Sequence, residues 1–163
     1  MIYEGMTVPE NKSASHKRVL DAAKAEFLEK GFAKASIRSI GERAGMTSAG
    51  LYRHCTDKED LFCQILEPLM TELNGYLHSH KEKSDYALEG ENCRAEAFDN
   101  GTITIFRSLS VRYRQEMKLL LCRAGGTRYE NFMDDLVKTE ETETCFSTVL
   151  DFFMPGWMKI MGF

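Results

Sequence analysis

Apolar residues recur along most of this chain at the three- and four-residue spacing of one helix face, and helices account for nearly all of it. Val19, Leu20, Ala23, Phe27 and Leu28 form the first stripe, which Gly31 ends after Lys30. Ser36 is placed to cap a second helix, with Ile37, Ile40 and Ala44 on its inner side and Gly45 closing it. Met46 seals the corner, Thr47 caps a third helix and Leu51 anchors it. A fourth opens at TDKED (56–60) and carries Leu61, Phe62, Ile65, Leu66, Leu69, Met70, Leu73 and Leu77, with Pro68 expected to kink it.

Beyond that stripe, residues 78–92 are polar and read as a loop. Residues 94–124 read as helix, through Phe98, Ile105, Phe106, Leu109, Tyr113, Met117, Leu120 and Leu121. Thr102 to Phe106 has strand propensity after an Asn-Gly turn signal, but no partner strand exists elsewhere, so helix is expected. Gly125 and Gly126 break the run, and another helix is expected from about Arg128, with Tyr129, Phe132, Met133, Leu136 and Val137 inward. The fold class is therefore all-α. Its expected domains are a flexible arm (1–12), a three-helix DNA-binding head (13–60) and a helical ligand-binding and dimerisation domain (61–163).

The third helix is unusual for what it leaves outside. Ser48, Ala49, Gly50, Tyr52, Arg53 and His54 include two very small residues and four that can hydrogen-bond. Such a helix adds little to a core but suits the major groove, where a slim first turn must approach base edges closely. Helix, glycine turn and polar helix make a helix-turn-helix; an ordinary helical hairpin has the same outline.

The order SIRSIGERAGMTSAGLYRHCTDKEDLF, with VLDAAKAEFLEKGF before it, resembles the DNA-binding domain of the tetracycline-repressor (TetR) family of bacterial regulators, ungapped from Lys17 to Leu66. The resemblance implies a homodimeric transcriptional regulator with an all-helical second domain. It places groove contacts at Arg38, Ser48, Ala49, Gly50, Tyr52, His54 and Lys58. LLLCRAGGTRYENFMDDLV resembles the middle of a clostridial-type subgroup and FFMPGWMKIMGF its end, with the connecting stretch absent near 140–148, so the dimer interface cannot be mapped from the family.

From the residues themselves, Ser36, Arg38, Thr47, Tyr52 and Lys58 are candidates for phosphate, and Ser48, Gly50, Arg53 and His54 for base edges. A guanidinium at Arg53 could bind guanine bidentately, worth about 1–3 kcal/mol of discrimination; turned inward, it would only pair with Glu42. Tyr52 could equally pack beside Leu51. Lys58 opposes the positive end of its helix dipole, a conflict that either a DNA phosphate or a neighbouring acid would resolve. His16, Lys17 and Arg18 suit phosphate or a solvated face alike.

Charge sharpens this picture. The formal net charge is −4. Residues 1–62 carry ten Lys/Arg against nine Asp/Glu, the remainder eleven against sixteen. A head more basic than its body fits selective reading of DNA rather than bulk coating. The five cysteines show no regular spacing and read as reduced thiols, and no apolar run approaches membrane-spanning length, so a cytoplasmic protein is expected.

The second domain offers Tyr76, Phe98, Phe106, Tyr113, Met117, Phe132, Met133 and Trp157 for a small apolar effector, although any helical core contains such residues. His78 and His80 with Cys93 lack a fourth ligand, so no metal or other cofactor is expected. No acid–base pair converges on Cys55 beside His54 or on Cys122, so the chain reads as no enzyme. The expected function is a repressor that binds a near-palindromic DNA operator as a homodimer and is released by a small molecule. The alternative is a ligand-independent DNA-binding protein whose C-terminal helices serve only dimer or partner contacts.

Overall fold

A computed structural model of the chain describes residues 12–87, 100–132, 134, 135 and 159. The regular elements among them are all helices: α1 (Lys12–Lys30), α2 (Ile37–Ala44), α3 (Ser48–Leu51), α4 (Lys58–Ala87), α5 (Asn100–Arg112) and α6 (Arg114–Cys122). The chain divides into two compact units, Met1–Ile65 and Leu66–Phe163, and α4 contributes to both.

The first unit is built on the stripe of α1. Val19, Ala22, Ala23 and Phe27 are buried. Gly31 ends the helix at φ 76, and its N–H donates to the Phe27 carbonyl at 2.9 Å. The Phe27 ring packs against Phe32 and Phe62, with centroids 5.7 and 5.3 Å away, and Phe32 meets Phe62 edge-on at 5.4 Å. Aromatic pairs of this geometry each add about 0.5–1.5 kcal/mol beyond the area they bury. Ile40, Leu51 and Leu61 are fully buried as well, so each of the four helices donates to one core.

In the second unit, Leu66, Leu69 and Leu73 of α4 are buried at helical spacing, as are Leu109 of α5 and Met117, Leu119 and Leu120 of α6. Arg112 Nη1 donates to both carboxylate oxygens of Glu72 at 2.8 and 2.9 Å, and Tyr113 Oη donates to Glu72 Oε1 at 2.6 Å. These bonds tie the α5–α6 corner to α4.

Three expectations change here. The polar stretch expected as a loop from residue 78 is helical as far as Ala87, because α4 continues through it. The helical stretch expected over 94–124 is divided, among the described residues, into two helices separated at Tyr113 (φ −113, ψ 40), whose hydroxyl is held by Glu72. The helix expected from Arg128 opens instead as successive turns. There the buried Thr127 hydroxyl donates to the Ala124 carbonyl at 2.7 Å and accepts from the Tyr129 N–H at 3.1 Å, competing with helical bonding. The run from Thr102 to Phe106 lies within α5, the helix expected there.

Candidate nucleic-acid interface

The helix-turn-helix forms because each end of its helices is closed by its own sequence. Ser36 is extended (φ −130, ψ 148), and its Oγ accepts the Ser39 N–H at 3.1 Å. Gly45 takes the left-handed conformation (φ 67), which lets its N–H reach the Glu42 carbonyl at 3.2 Å and Met46 N–H reach Gly41 at 2.9 Å. Thr47 caps α3 by accepting the Gly50 N–H at 3.1 Å. The corner is tight. A Cβ placed on Gly41 would stand 2.9 Å from the Met46 carbonyl oxygen, so only glycine lets α2 and the turn approach this closely.

Beyond α3 the backbone tightens rather than extending the helix. Arg53 and His54 N–H donate to the Gly50 and Leu51 carbonyls at 3.3 and 2.8 Å, an i→i+3 pattern. Leu51 is fully buried, while Ser48 and Ala49 are exposed and Gly50 is half-buried. Tyr52 is 54% exposed, so it is not a core partner of Leu51. Arg53 is exposed too, and Glu42 pairs instead with Arg38, Nε to Oε1 at 3.0 Å. That pair is itself exposed, 85% and 66%, and is worth only about 0.3–0.5 kcal/mol, little obstacle to Arg38 taking a phosphate.

Two candidates are more engaged than the sequence suggests. The His54 ring is half-buried against His16 of α1, with centroids 5.6 Å apart, and Gln64 Nε2 donates to its carbonyl at 3.3 Å. Lys58 Nζ donates to the carbonyls of Phe32 and Ala35 at 2.8 and 3.1 Å. Asp57 Oδ1 caps α4 by accepting the Asp60 N–H at 2.8 Å. The conflict between Lys58 and the α4 dipole is thus met within the protein, by two carbonyl oxygens.

Residues that pattern reading passed over hold this surface in place. Glu26 is 1% exposed, yet its carboxylate accepts from Lys30 Nζ and Ser39 Oγ, each at 2.6 Å, and faces Arg43 Nη2 at 3.2 Å. Burial alone would raise its pKa; the Lys30 and Ser39 hydrogen bonds, with the charges of Lys30 and Arg43, outweigh that and lower it. Both misses had a signal. Glu26 lies three residues after Ala23 and seven after Val19, on the apolar stripe, and Gly41 lies three before Ala44 on the inner side of α2.

A sequence profile described as "Bacterial regulatory proteins, tetR family" matches residues 19–65, which span the helix-turn-helix and every DNA-contact candidate from Ser36 to Lys58. The chain carries a TetR-family N-terminal domain. It is 34% identical over 64 residues, 39% of this chain, to the HTH-type transcriptional repressor KstR2 of Rhodococcus jostii (strain RHA1). It is 32% identical over 79 residues, 46% of this chain, to the uncharacterized HTH-type transcriptional regulator YvdT of Bacillus subtilis (strain 168). These matches span 31% and 41% of the relatives' own lengths. The solved structure of a SmeT–triclosan complex shares the fold at TM-score 0.52 and 23% identity, covering 85% of this chain and 68% of that one.

Of the proposed effector residues outside the TetR-type domain, the side chains of Tyr76, Tyr113, Met117 and Phe132 are described. A pocket of about 150 Å³ is lined by Leu120, Leu121, Tyr129, Glu130, Asn131, Phe132 and Asp134. Of the sequence candidates it includes Phe132. Tyr113 is committed to Glu72, and Met117 is 4% exposed in the core. Tyr76 is half-buried on α4. Phe98, Met133 and Trp157, and the side chain of Phe106, lie outside the described residues, as do Cys93 and the side chains of His78 and His80. No group of three or more His, Cys, Asp or Glu among the described residues could hold a metal, and no helix among them is long and apolar enough to cross a membrane. Cys55 is buried with its Sγ 3.6 Å from the Leu51 carbonyl oxygen. Burial, then Asp60 and Asp57, push its pKa up to about 11, so it holds its proton at neutral pH.

Proposed function

We propose that the chain is a DNA-binding transcriptional regulator, a repressor that meets a near-palindromic duplex as a homodimer and is released by a small apolar molecule. One observation carries the DNA half: the small-residue face of Ser48 and Ala49 is open, flanked by exposed Tyr52 and Arg53, in a helix-turn-helix held by the Ser36, Gly45 and Thr47 caps and a close glycine contact. A slim, exposed, polar turn held this rigidly fits a groove and has no evident use in a core. In this reading Arg38, Thr47 and Tyr52 meet phosphates, Ser48, Gly50 and Arg53 meet base edges, and Ala49 keeps the approach close. His54 acts from its seat on His16. The Rhodococcus relative KstR2 is a transcriptional repressor, which supports repression here.

One such head covers too few base pairs for regulatory affinity, and two-fold pairing would present two heads to a symmetric site. Selection of duplexes from a random pool by the full chain tests this. A motif with two inverted half-sites is expected; no enrichment overturns the DNA reading, and a lone half-site overturns the dimer.

A further inference from the structure

Glu26 occupies a core position on α1 that an apolar side chain would fill without desolvating a charge. Two of its three partners, Ser39 and Arg43, are on α2, and the third, Lys30, is one turn along α1. The contact with Ser39 has a directional consequence. A serine hydroxyl carries one hydrogen, and Ser39 Oγ stands 2.6 Å from Glu26 Oε1 and 3.0 Å from the Ser36 carbonyl. An ionised carboxylate can only accept, and the shorter, charge-assisted bond takes the hydrogen. Ser39 Oγ is left with lone pairs toward Ser36 Oγ, 2.8 Å away, so Ser36 must be the donor there. Ser36 Oγ also accepts the Ser39 N–H at 3.1 Å. Its only hydrogen is spent inward.

We propose that Glu26 is a positioning residue of the DNA-reading unit: through Ser39 it fixes the direction of the Ser36 hydroxyl and the seating of the first turn of α2. Ser36 is then a helix cap with no hydrogen to offer a phosphate, and the phosphate contact at this corner falls to Arg38, whose side chain is 85% exposed. The DNA consequence rests on the function proposed above; the hydroxyl chain does not.

Amide hydrogen exchange on the full chain, with Glu26→Gln, Ser39→Ala and the double variant, tests the chain directly. Ser39→Ala keeps the Glu26 ion pairs and cuts only the route to Ser36, while the amide at 39 can still reach Ser36 Oγ. Each single variant is expected to speed exchange at position 39 about ten-fold, with α4 amides unchanged and the double variant no faster than the faster single. Unchanged exchange at 39, or effects that simply add, overturns the proposal. A second arm uses the duplex enriched by the wild-type chain. Glu26→Gln is expected to weaken binding about ten-fold with the salt slope unchanged, since no phosphate contact is lost. Equal affinity in a folded Glu26→Gln chain removes the DNA role from Glu26. If the wild type enriches no duplex, the regulator reading falls, and the exchange arm alone decides the positioning.

Discussion

The ammonium of Lys58 lies 4.2 Å above the centroid of the Phe32 ring while donating to the Phe32 carbonyl oxygen at 2.8 Å. One residue thus receives both a cation–π contact and a charge-assisted hydrogen bond from the first turn of α4. The second bond, to Ala35, ends one residue before the Ser36 cap, so Lys58 pins the loop that delivers α2. Lys58→Met keeps the apolar stem and removes these bonds. We expect a loss of roughly 1–2 kcal/mol, or about 2–8 °C in thermal midpoint at this chain length. The salt slope of DNA binding should change less than it does in Arg38→Ala. A drop of about one in that slope with the thermal midpoint intact would show that Lys58 serves phosphate rather than the loop.

Gly41 fails for a different reason. The atom its Cβ would strike, the Met46 carbonyl oxygen at 2.9 Å, is backbone, which cannot rotate away as a side chain would. Gly41→Ala gains helix propensity yet forces the turn apart, for a net cost of about 1–3 kcal/mol. Gly50→Ala is the control, because its nearest atom, Thr47 Oγ1, is 3.4 Å away. Thermal unfolding of both variants should show a loss for position 41 and none for position 50. Equal midpoints would contradict the close packing of the corner.

What pattern could reveal follows from what these residues do. Ser36, Gly45, Thr47 and Leu51 act locally, through a cap, a left-handed turn or an apolar anchor within a few residues, and their roles were legible from spacing. The partners of Lys58 are not legible in the sequence, because Phe32 and Ala35 are 26 and 23 residues away and are met through backbone oxygens, which carry no sequence signature. The same holds for His54, whose neighbour His16 is on another helix. Spacing leaves Tyr52 and Arg53 open between core and surface, and both are exposed. The extension of α4 to Ala87 was missed because a polar stretch has no stripe to follow, although nothing in it but sequence polarity argued for a loop.

Acid should loosen the α1–α2 contact. The folded-state pKa of Glu26 lies below its unfolded value, so on the acid side the unfolded chain binds more protons and stability decreases as pH is lowered. The contribution, roughly 1–3 kcal/mol, is fully present above the unfolded carboxylate value near about 4.3. It disappears as pH falls through the lower folded value. The pKa of Asp60 is also lowered, chiefly by the Gln64 hydrogen bond and then by the Thr56 N–H, but it titrates alike in wild type and Glu26→Gln. Denaturant unfolding at several pH values between neutrality and 3 should give a stability gap between the two proteins that closes on acidification. A gap constant across that range would mean that the Glu26 charge contributes nothing.

Arg53 offers the sharpest separation of reading from folding. It is exposed, in a turn whose bonds run through its backbone N–H to Gly50, and the acid it might have engaged, Glu42, holds Arg38. Truncation should therefore leave stability within about 0.5 kcal/mol of wild type. If its guanidinium binds a guanine edge, Arg53→Ala loses about 1–3 kcal/mol of discrimination at one base pair of each half-site and little elsewhere. Ala49→Glu should behave in the opposite way. It too is exposed and tolerated by the fold, but a carboxylate on the groove-facing turn would repel phosphates at every sequence. Parallel selections with both variants and wild type would show a motif relaxed at one symmetric position for Arg53→Ala and no enrichment for Ala49→Glu. An unchanged motif from Arg53→Ala would strike that residue from the base readers and leave Ser48 and Gly50 to carry specificity.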